Sequence, residues 1–579
     1  MAKNKKKLIG ADIIAQAIKD SGIKRVFLFP GGTIAPLLDS LISLGVEYVC
    51  ARNEQGAGYA AIGASKVSGD AQIVMVTSGP GATNLLTPIA DAYYDSVPII
   101  AITGQVGVSD INFEKKVRQT GFQETDSKSI FTPVTIKAVT ITSKDDLYNN
   151  VASLISLAKE GRHGPILIDL PMNIQREAVE NVTIKDNKIK NTEKRPVKIN
   201  REKIEKIVNT LNNAKRPLII AGNGIYLSDS CKELLNFVEK SGIPTVCSLP
   251  GLGSFPSNHP LSYSFIGHTG EFFSNIACHY ADVLLVLGAR LDVRQTGTEI
   301  DDFTKDKKII RVDIDPNELI HGRINGNINL NLDLKSFFNF IDKCYQKNSS
   351  QKLNDWISKI DLWKDKYNSK QFYQEKNLSS YHILRSVDKL TEGESVLVAS
   401  GVGTHQQLTA RYFTYHFPER VWMTSAGHGT MGFDVPTMIG AMIESKSRYD
   451  RGLVFVGDGS FQMNIQELAT IKNLNLPIKI FVLDNQRLGI VSQFQLLNWP
   501  KDESTGNKVN PSFSSIAKSY GLSGYDITSK ENLEQQIIKI LNDPEPCVVH
   551  CHIDVSEDVL PMLLAGQKMN SMHPFKDKV

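Results

Sequence analysis

Residues 453–485 read LVFVGDGSFQMNIQELATIKNLNLPIKIFVLDN. The apolar run LVFV ends at Gly457 and hands the chain to a tight Gly-Asp-Gly turn, the pattern of a buried strand and its sharp exit. From Asn464 to Asn475, Ile465, Leu468 and Ala469 recur at helical spacing, and Pro477 closes that helix before a second buried strand, IKIFVLDN. A strand, a helix and a strand in this order cross over right-handed and leave the strands parallel, with both carboxyl ends on one side. Asp458 and Asn485, 485 − 458 = 27 residues apart, therefore face one crevice. Each offers a hard oxygen ligand, and oxygen ligands in small number suit Mg²⁺, which completes its octahedron with water and phosphate oxygens. Taken singly, Gly-Asp-Gly is also an ordinary turn and Asp-Asn an ordinary strand end; the pairing across one crossover favours the metal.

Composition narrows the field. The chain has 579 residues, 41% of them hydrophobic, enough for several cores. No window of 18 apolar residues is present, so no membrane span is expected. A net charge of +3 is too near balance to suggest a nucleic-acid partner. MAKNKKK lacks a following apolar segment and reads as a solvated tail rather than a secretory signal. Seven scattered cysteines, an odd number, favour reduced thiols and a cytoplasmic setting. CVVHCH, residues 547–552, resembles a metal motif in composition, but its β-like run reads better as plain strand.

Two polar segments, 176–202 and 345–378, look like linkers; in the second, Trp356, Ile360 and Trp363 suggest a helix packed on a surface. Between them apolar strands alternate with helical stretches, as in IVMVTSG, PIIAITG and PILIDLP, then PLIIAG, DVLLVLG and KIIRVDID, then SVLVAS, LVFVGDG and IKIFVLDN. The fold class is therefore α/β, with three open, mainly parallel doubly wound sheets flanked by helices, each with a ligand crevice at its strand carboxyl ends. The expected units are residues 1–180, 195–345 and 375–560, followed by a tail, 561–579.

The glycine-rich loops admit two readings each. GHGTMG, 427–432, matches G-x-G-x-x-G, yet the acid closing the next strand is Asp458, which the metal already claims. TSGPGATN, 77–84, follows a strand and opens a helix, so its amides could hold an anion or cap the helix. FPGGT, 29–33, ends a strand with two glycines, and Gly32 lets backbone approach a ligand closely. Glu54, in NEQGAGYAA, stands before a helix rich in Ala and Gly, against which another surface can press. Such a glutamate is expected to be desolvated with a raised pKa, as a proton relay needs, although a helix N-terminal acid is the plainer alternative.

In order along the chain, FPGGT, NEQGAGYAA, TSGPGATNLLTPIADAY, ITGQV, TGFQETD, GRHGPILIDLP, GARLDVRQTG, GVGTHQQ, GTMGF and GDG…DNQ resemble the thiamine-diphosphate enzymes, most closely the acetohydroxyacid (acetolactate) synthases. The resemblance runs from about residue 8 to 562. It implies Asp458, Asn485 and the Arg487 carbonyl as Mg²⁺ ligands, and Gly403, Thr404, His405, Gln406, Gly457, Gly459 and Ser460 around the cofactor diphosphate. Met431, beside Gly429, matches the residue that bends the cofactor, and Glu54 the acid that drives removal of its C2 proton. Pro80 and Asn84 belong to the same cofactor-binding set, and Phe122, Gln123 and Gly32 to the donor side. The family pairs the first unit of one subunit with the third of another, implying at least a homodimer and allowing a tetramer and a regulatory subunit. The small-residue face after Glu54 would supply that subunit packing.

The middle unit resembles one that holds FAD without a redox role. Gly222, Gly224, Gly267, His268, Thr269, Gly288, Arg290, Asp292, Arg294, Asp313, Asp315 and Asp333 fall in the matching stretches. The alternative is a unit that kept the sheet and lost the flavin. Arg294 matches the arginine that engages the acceptor carboxylate, and Lys137 approximates an entrance lysine. Departures gather around the acceptor: Phe494 stands for the family's Trp, His268 for its Met, His428 lies where Gly-Leu-Gly is usual, and Asp484 replaces the first Asn of a pair. The implied activity is decarboxylation of pyruvate and addition of the two-carbon unit to pyruvate or 2-oxobutyrate. Transfer to a nucleotide-linked keto-sugar or other carbonyl, simple decarboxylation, pyruvate oxidase-like flavin reduction and a non-catalytic cofactor-binding role are the alternatives.

Overall fold

The computed structural model describes residues 7–112, 117–179, 200–345, 351–445, 448–500, 504–505 and 509–575. Eighteen strands form three six-stranded sheets among these residues. The first holds β1 (Arg25–Leu28), β2 (Glu47–Cys50), β3 (Gln72–Val76), β4 (Ile99–Gln105), β5 (Lys137–Thr140) and β6 (Ile166–Pro171), in the order 2-1-3-4-6-5. The second holds β7 (Pro217–Ala221), β8 (Thr245–Cys247), β9 (Ser262–Phe265), β10 (Val283–Leu287), β11 (Lys308–Asp313) and β12 (Ile328–Asn331), in the order 12-11-10-7-8-9. The third holds β13 (Val396–Ala399), β14 (Arg420–Met423), β15 (Arg451–Gly457), β16 (Ile478–Asp484), β17 (Ser523–Ile527) and β18 (Cys547–His552), in the order 14-13-15-16-18-17. Every pairing is parallel, so each sheet gathers its strand carboxyl ends along one edge.

Renumbered from their own first strands, the first and third sheets share one topology, 2-1-3-4-6-5. The second follows 3-2-1-4-5-6, the doubly wound order whose switch point lies between its first and fourth strands, here β7 and β10. The central strands are buried throughout because helices cover both faces. β3, β4, β6, β7, β10 and β16 have no exposed residue.

The opening crossover is present. β15 ends at Gly457 and β16 at Asp484, and the two pair in register from Gly452↔Ile478 to Gly457↔Leu483. Its helix differs from expectation. Helix begins at Asp458, breaks at Asn464, turns through Ile465–Glu467 and resumes over Leu468–Leu474. The break has a cause: Asn464, at φ −132°, spends its side chain on the Gly432 carbonyl (2.7 Å) and on the Asn53 amide (3.3 Å).

Segment 345–378 holds a helix, Gln351–Lys366, with Trp356, Ile360 and Trp363 buried against the second sheet, and Trp356 Nε1 donates to the Pro217 carbonyl. Most of segment 176–202 lies outside the described residues, as does the first part of MAKNKKK. The expected tail folds back: Leu563, Met569 and Met572 are buried in the middle core, and Phe575 stacks on Phe272.

The small-residue face after Glu54 meets the chain itself. Helix Glu54–Ser68 crosses helix Asp434–Ser445 so closely that a Cβ on Gly440 would sit 1.7 Å from the Ala60 carbonyl oxygen, and one on Gly63 1.9 Å from that of Thr437. Gly58 packs on the Pro88 ring of the neighbouring helix in the first unit. The expectation that this face serves a second subunit is corrected, because backbone of the third unit already fills it. Gly440→Val should overpack this crossing and cost about 1–3 kcal/mol or more, read as a lower first transition in thermal unfolding; an unchanged transition would mean that the helices part without penalty.

Candidate functional site

Four loops converge at the carboxyl edge of the third sheet: 401–406 after β13, 424–432 after β14, 457–460 after β15 and 484–489 after β16. Glycine permits their contact. A Cβ on Gly457 would meet His405 Nδ1 at 2.8 Å, and one on Gly489 would meet Thr404 Oγ1 at 2.5 Å and Asn485 Nδ2 at 2.6 Å. Gly459 lies against Met431 and Leu488. Asp434 ties the loops from below, accepting the Gly401 amide and, at 2.5 Å, the Ser460 hydroxyl, while the Gly432 amide donates to Ser460 Oγ.

Asp458 and Asn485 are both 5% exposed. Burial pushes the Asp458 carboxyl up to about 6, the Asn510 amide opposes that rise, and the Asp484 charge adds to it. Asn510 Nδ2 donates to Asp458 Oδ2 (2.7 Å) and Asp484 Oδ1 (2.8 Å), so a donor already bridges the two acids. A buried carboxylate beside a second acid is costly unless a cation or donors compensate it. Arg487 leads into the same turn, its amide donating to Asn485 Oδ1. Asp458, Asn485 and the turn at Arg487 thus present the oxygen donors a hard dication takes, beside a Thr404 hydroxyl that is buried with no partner.

CVVHCH is a strand, β18, yet it is not plain. His550 Nε2 donates to Asp484 Oδ2 at 2.7 Å, its ring lies 3.9 Å from that of His552, and ligand atoms of Asp484, His550 and His552 come within 4.8 Å of one another. Asp484, where the family has an amide, is therefore backed by a histidine behind the turn; burial raises its pKa, but His550, the Gln486 amide and Asn510 together outweigh it and lower the carboxyl.

A second group of residues sits at the carboxyl edge of the first sheet. Glu54, 7% exposed, opens its helix and accepts from Asn84 Nδ2 at 3.0 Å. Pro80 begins the helix that carries Asn84, and Gly79, at φ +62°, has its Cβ position 2.8 Å from Gln123 Cβ. Glu124 secures the turn bearing Phe122 and Gln123 by accepting the amides of Asn112, Thr120 and Gly121. Phe122 is 86% exposed, and Gly32 faces open space. Among the described residues no hydrogen bond joins Glu54 to the 401–406 or 457–460 loops; contact between the two edges runs instead through Asn53 to Asn464 and the Arg52 amide to Glu467.

The third group lines a cleft at the β7/β10 switch point. Gly222 and Gly224 press on Gly288, whose φ is +57°, so these glycines serve backbone contact between the two loops. Gly267 lies against the Arg294 carbonyl and the His268 amide donates to that carbonyl at 2.7 Å, which sets His268 beside Arg294. Arg290, Asp292, Asp313 and Asp333 line the cleft with Thr269. Asp315 does not; it caps the helix Pro316–His321 and pairs with Arg162 at 3.1 Å. Tyr94, Asp95 and Arg162 from the first unit also line the cleft, contributions the sequence reading missed, as does Gln406, which was expected around the diphosphate. Burial, then the charges of Arg294 and Arg411, push His268 down to about 4, so it is neutral at pH 7. His428 and Phe494, expected beside it, do not line this cleft: His428 is exposed and stacked on Tyr94, and Phe494, 52% exposed, packs on Trp499.

The description "Thiamine pyrophosphate enzyme, N-terminal TPP binding domain" matches residues 9–130, the corresponding central domain 204–339, and the C-terminal TPP binding domain 401–551. Similar proteins include the acetolactate synthase large subunits of Buchnera aphidicola subsp. Acyrthosiphon pisum (strain APS), 36% identical over 99% of both chains, and of Lactococcus lactis subsp. lactis (strain IL1403), 34% identical over 98% of this chain and 97% of the other. The isozyme 2 large subunit of Escherichia coli (strain K12) is 33% identical over 97% of this chain and 99% of its own. Three parallel sheets with their edges turned to shared clefts define a thiamine pyrophosphate enzyme. The chain belongs to that family and, within it, to the acetolactate synthase large subunits.

Asp434→Ala would leave the Gly401 amide and Ser460 hydroxyl without their buried acceptor. A loss of about 1–3 kcal/mol is expected in chemical denaturation, and undiminished stability would mean the loops hold without it.

Proposed function

We propose that the chain joins two 2-oxo acids, releasing CO₂ from pyruvate and adding its two-carbon remainder to the carbonyl carbon of a second pyruvate or of 2-oxobutyrate. The observation that carries the reading is the buried Asp458 and Asn485 at adjacent strand ends, beside a Thr404 hydroxyl that has no partner among the described residues. These residues, with the Arg487 carbonyl, would hold Mg²⁺, and the amides and side chains of 403–406 and 457–460 would hold a diphosphate. Thiamine diphosphate supplies an electron sink for loss of CO₂ when bound. The chain's own contributions are distinct: Glu54, oriented by Asn84, moves the proton, and Met431 shapes the site. Arg294 holds the acceptor carboxylate, and Phe122 and Gln123 close the donor side.

A homodimer in which the first unit of one subunit serves the third of the other is part of this reading. Units 1–180, 195–345 and 375–560, a cytoplasmic location and a regulatory subunit belong to the same proposal. The cleft at the β7/β10 switch point, with Asp313 and Asp333 at its strand ends, fits FAD in a non-redox role. A second reading, transfer to a polar carbonyl such as a keto-sugar, is favoured by one observation: His268 Nδ1 is buried without a partner beside Arg294.

Incubation with pyruvate should give acetolactate and CO₂; acetaldehyde, a bleached flavin or no product would each replace this reading. Glu54→Gln should keep cofactor and Mg²⁺ binding while slowing turnover by about 10² to 10⁴, and full activity would remove the proton role. In calorimetric titration Asp458→Ala should lose Mg²⁺-dependent retention of thiamine diphosphate, and tight binding without it would place the metal elsewhere.

A further inference from the structure

The segment DAYYDSVP, 91–98, gives Tyr94 and Asp95 to the wall of the middle cleft, and it also carries two buried acids that point toward the third unit. Asp91 is 0% and Asp95 6% exposed. They lie four residues apart, at the end of the helix Pro80–Tyr94 and its cap, and so face one way. What they face is the loop 424–430, directly before Met431.

The contacts are specific. Asp91 Oδ1 accepts the hydroxyls of Ser425 and, at 3.0 Å, Thr430. Ser425 Oγ in turn accepts the amides of Gly429 (3.1 Å) and Thr430 (2.9 Å). Asp95 accepts the amides of Ala426 (3.1 Å) and Gly427 (2.7 Å) and pairs at 3.4 Å with Lys66, which donates to the Thr424 carbonyl. Tyr94, between them, stacks on His428. Two carboxyls of the first unit thus hold two amides of a third-unit loop directly and reach three more of its backbone groups through Ser425 and Lys66.

We propose that Asp91 and Asp95 are positioning residues: they fix the 424–430 turn from the neighbouring unit and so set Met431 against the cofactor. The inference rests on the function proposed above. Asp91 Oδ2 is buried without a partner, and burial, then the Asp95 charge, push its carboxyl up to about 7, against Ser425, Thr430 and Lys66. Tyr59, whose buried hydroxyl is directed at Thr430, and Asp434, which acts on Tyr59, complete the surroundings. A raised carboxyl binds its proton more tightly in the folded chain, so its contribution falls as pH rises from about 4 to about 7.

Amide hydrogen exchange of peptides covering 424–431 in the cofactor-free protein tests the anchoring. Exchange of the C2 proton of added thiamine diphosphate with Mg²⁺ tests its consequence. Asp91→Ala and Asp95→Ala should speed amide exchange at this loop by about tenfold or more and slow C2 exchange by a similar factor, with diphosphate affinity little changed. Asp91→Asn keeps an acceptor for both hydroxyls; it should restore both rates and remove the pH dependence of loop opening between about 4 and 7. Ser425→Ala, a smaller change, should reproduce the loop effect if Asp91→Ala does not fold. Wild-type loop exchange in Ser425→Ala and Asp95→Ala, or no rescue by Asp91→Asn, would overturn the inference. Failure of the wild-type chain to take up thiamine diphosphate would defeat the proposed function instead, and the loop exchange rates would still report on the anchoring.

Discussion

The crossing of helices Glu54–Ser68 and Asp434–Ser445 is the constraint on which the rest of the molecule depends. At Gly63 and Gly440 each helix meets backbone of the other with no room for a methyl group. Tight packing of this kind cannot slide, because small shifts turn contact into overlap. It therefore fixes the first and third sheets as one body. Glu54 begins one of these helices and Asp434, which gathers the diphosphate-side loops, begins the other.

From that junction the electrostatics follow. Buried acids recur where loops meet: Asp91 and Asp95 on 424–430 and Glu467 on the Arg52 amide join the first unit to the third, and Asp434 joins Gly401 and Ser460 within the third. Each is met by backbone amides, hydroxyls or a lysine, as a buried charge must be. Asp458 differs, since Asn510 is its side-chain donor and Asp484 lies nearby. That imbalance at the end of β15 is what the proposed Mg²⁺ would relieve.

The middle sheet contributes through topology. A strand order that reverses between β7 and β10 opens a crevice there, and glycines let its two loops touch. The first unit closes one wall with Tyr94 and Arg162 and the third adds Gln406, so the cleft belongs to all three. Arg411 binds the carbonyls of Thr269, Leu560 and Pro561, drawing the C-terminal segment over the same loops.

Local chemistry alone determined the three α/β sheets, the parallel crossover from Gly457 to Asp484, and the placing of Asp458 and Asn485 at neighbouring strand ends. Apolar runs, glycine turns and a proline stop are properties of short segments, legible without neighbours. The helix break at Asn464, the Asp91 and Asp95 anchors, the Asp484–His550 pair and the use of the small-residue face within the chain were decided by tertiary structure. Asn464 and Gly432 are 32 residues apart, and Asp91 and Ser425 are 334 apart. No local pattern marks such partners, because an acid that will bind distant amides looks in sequence like any other acid near the end of a helix.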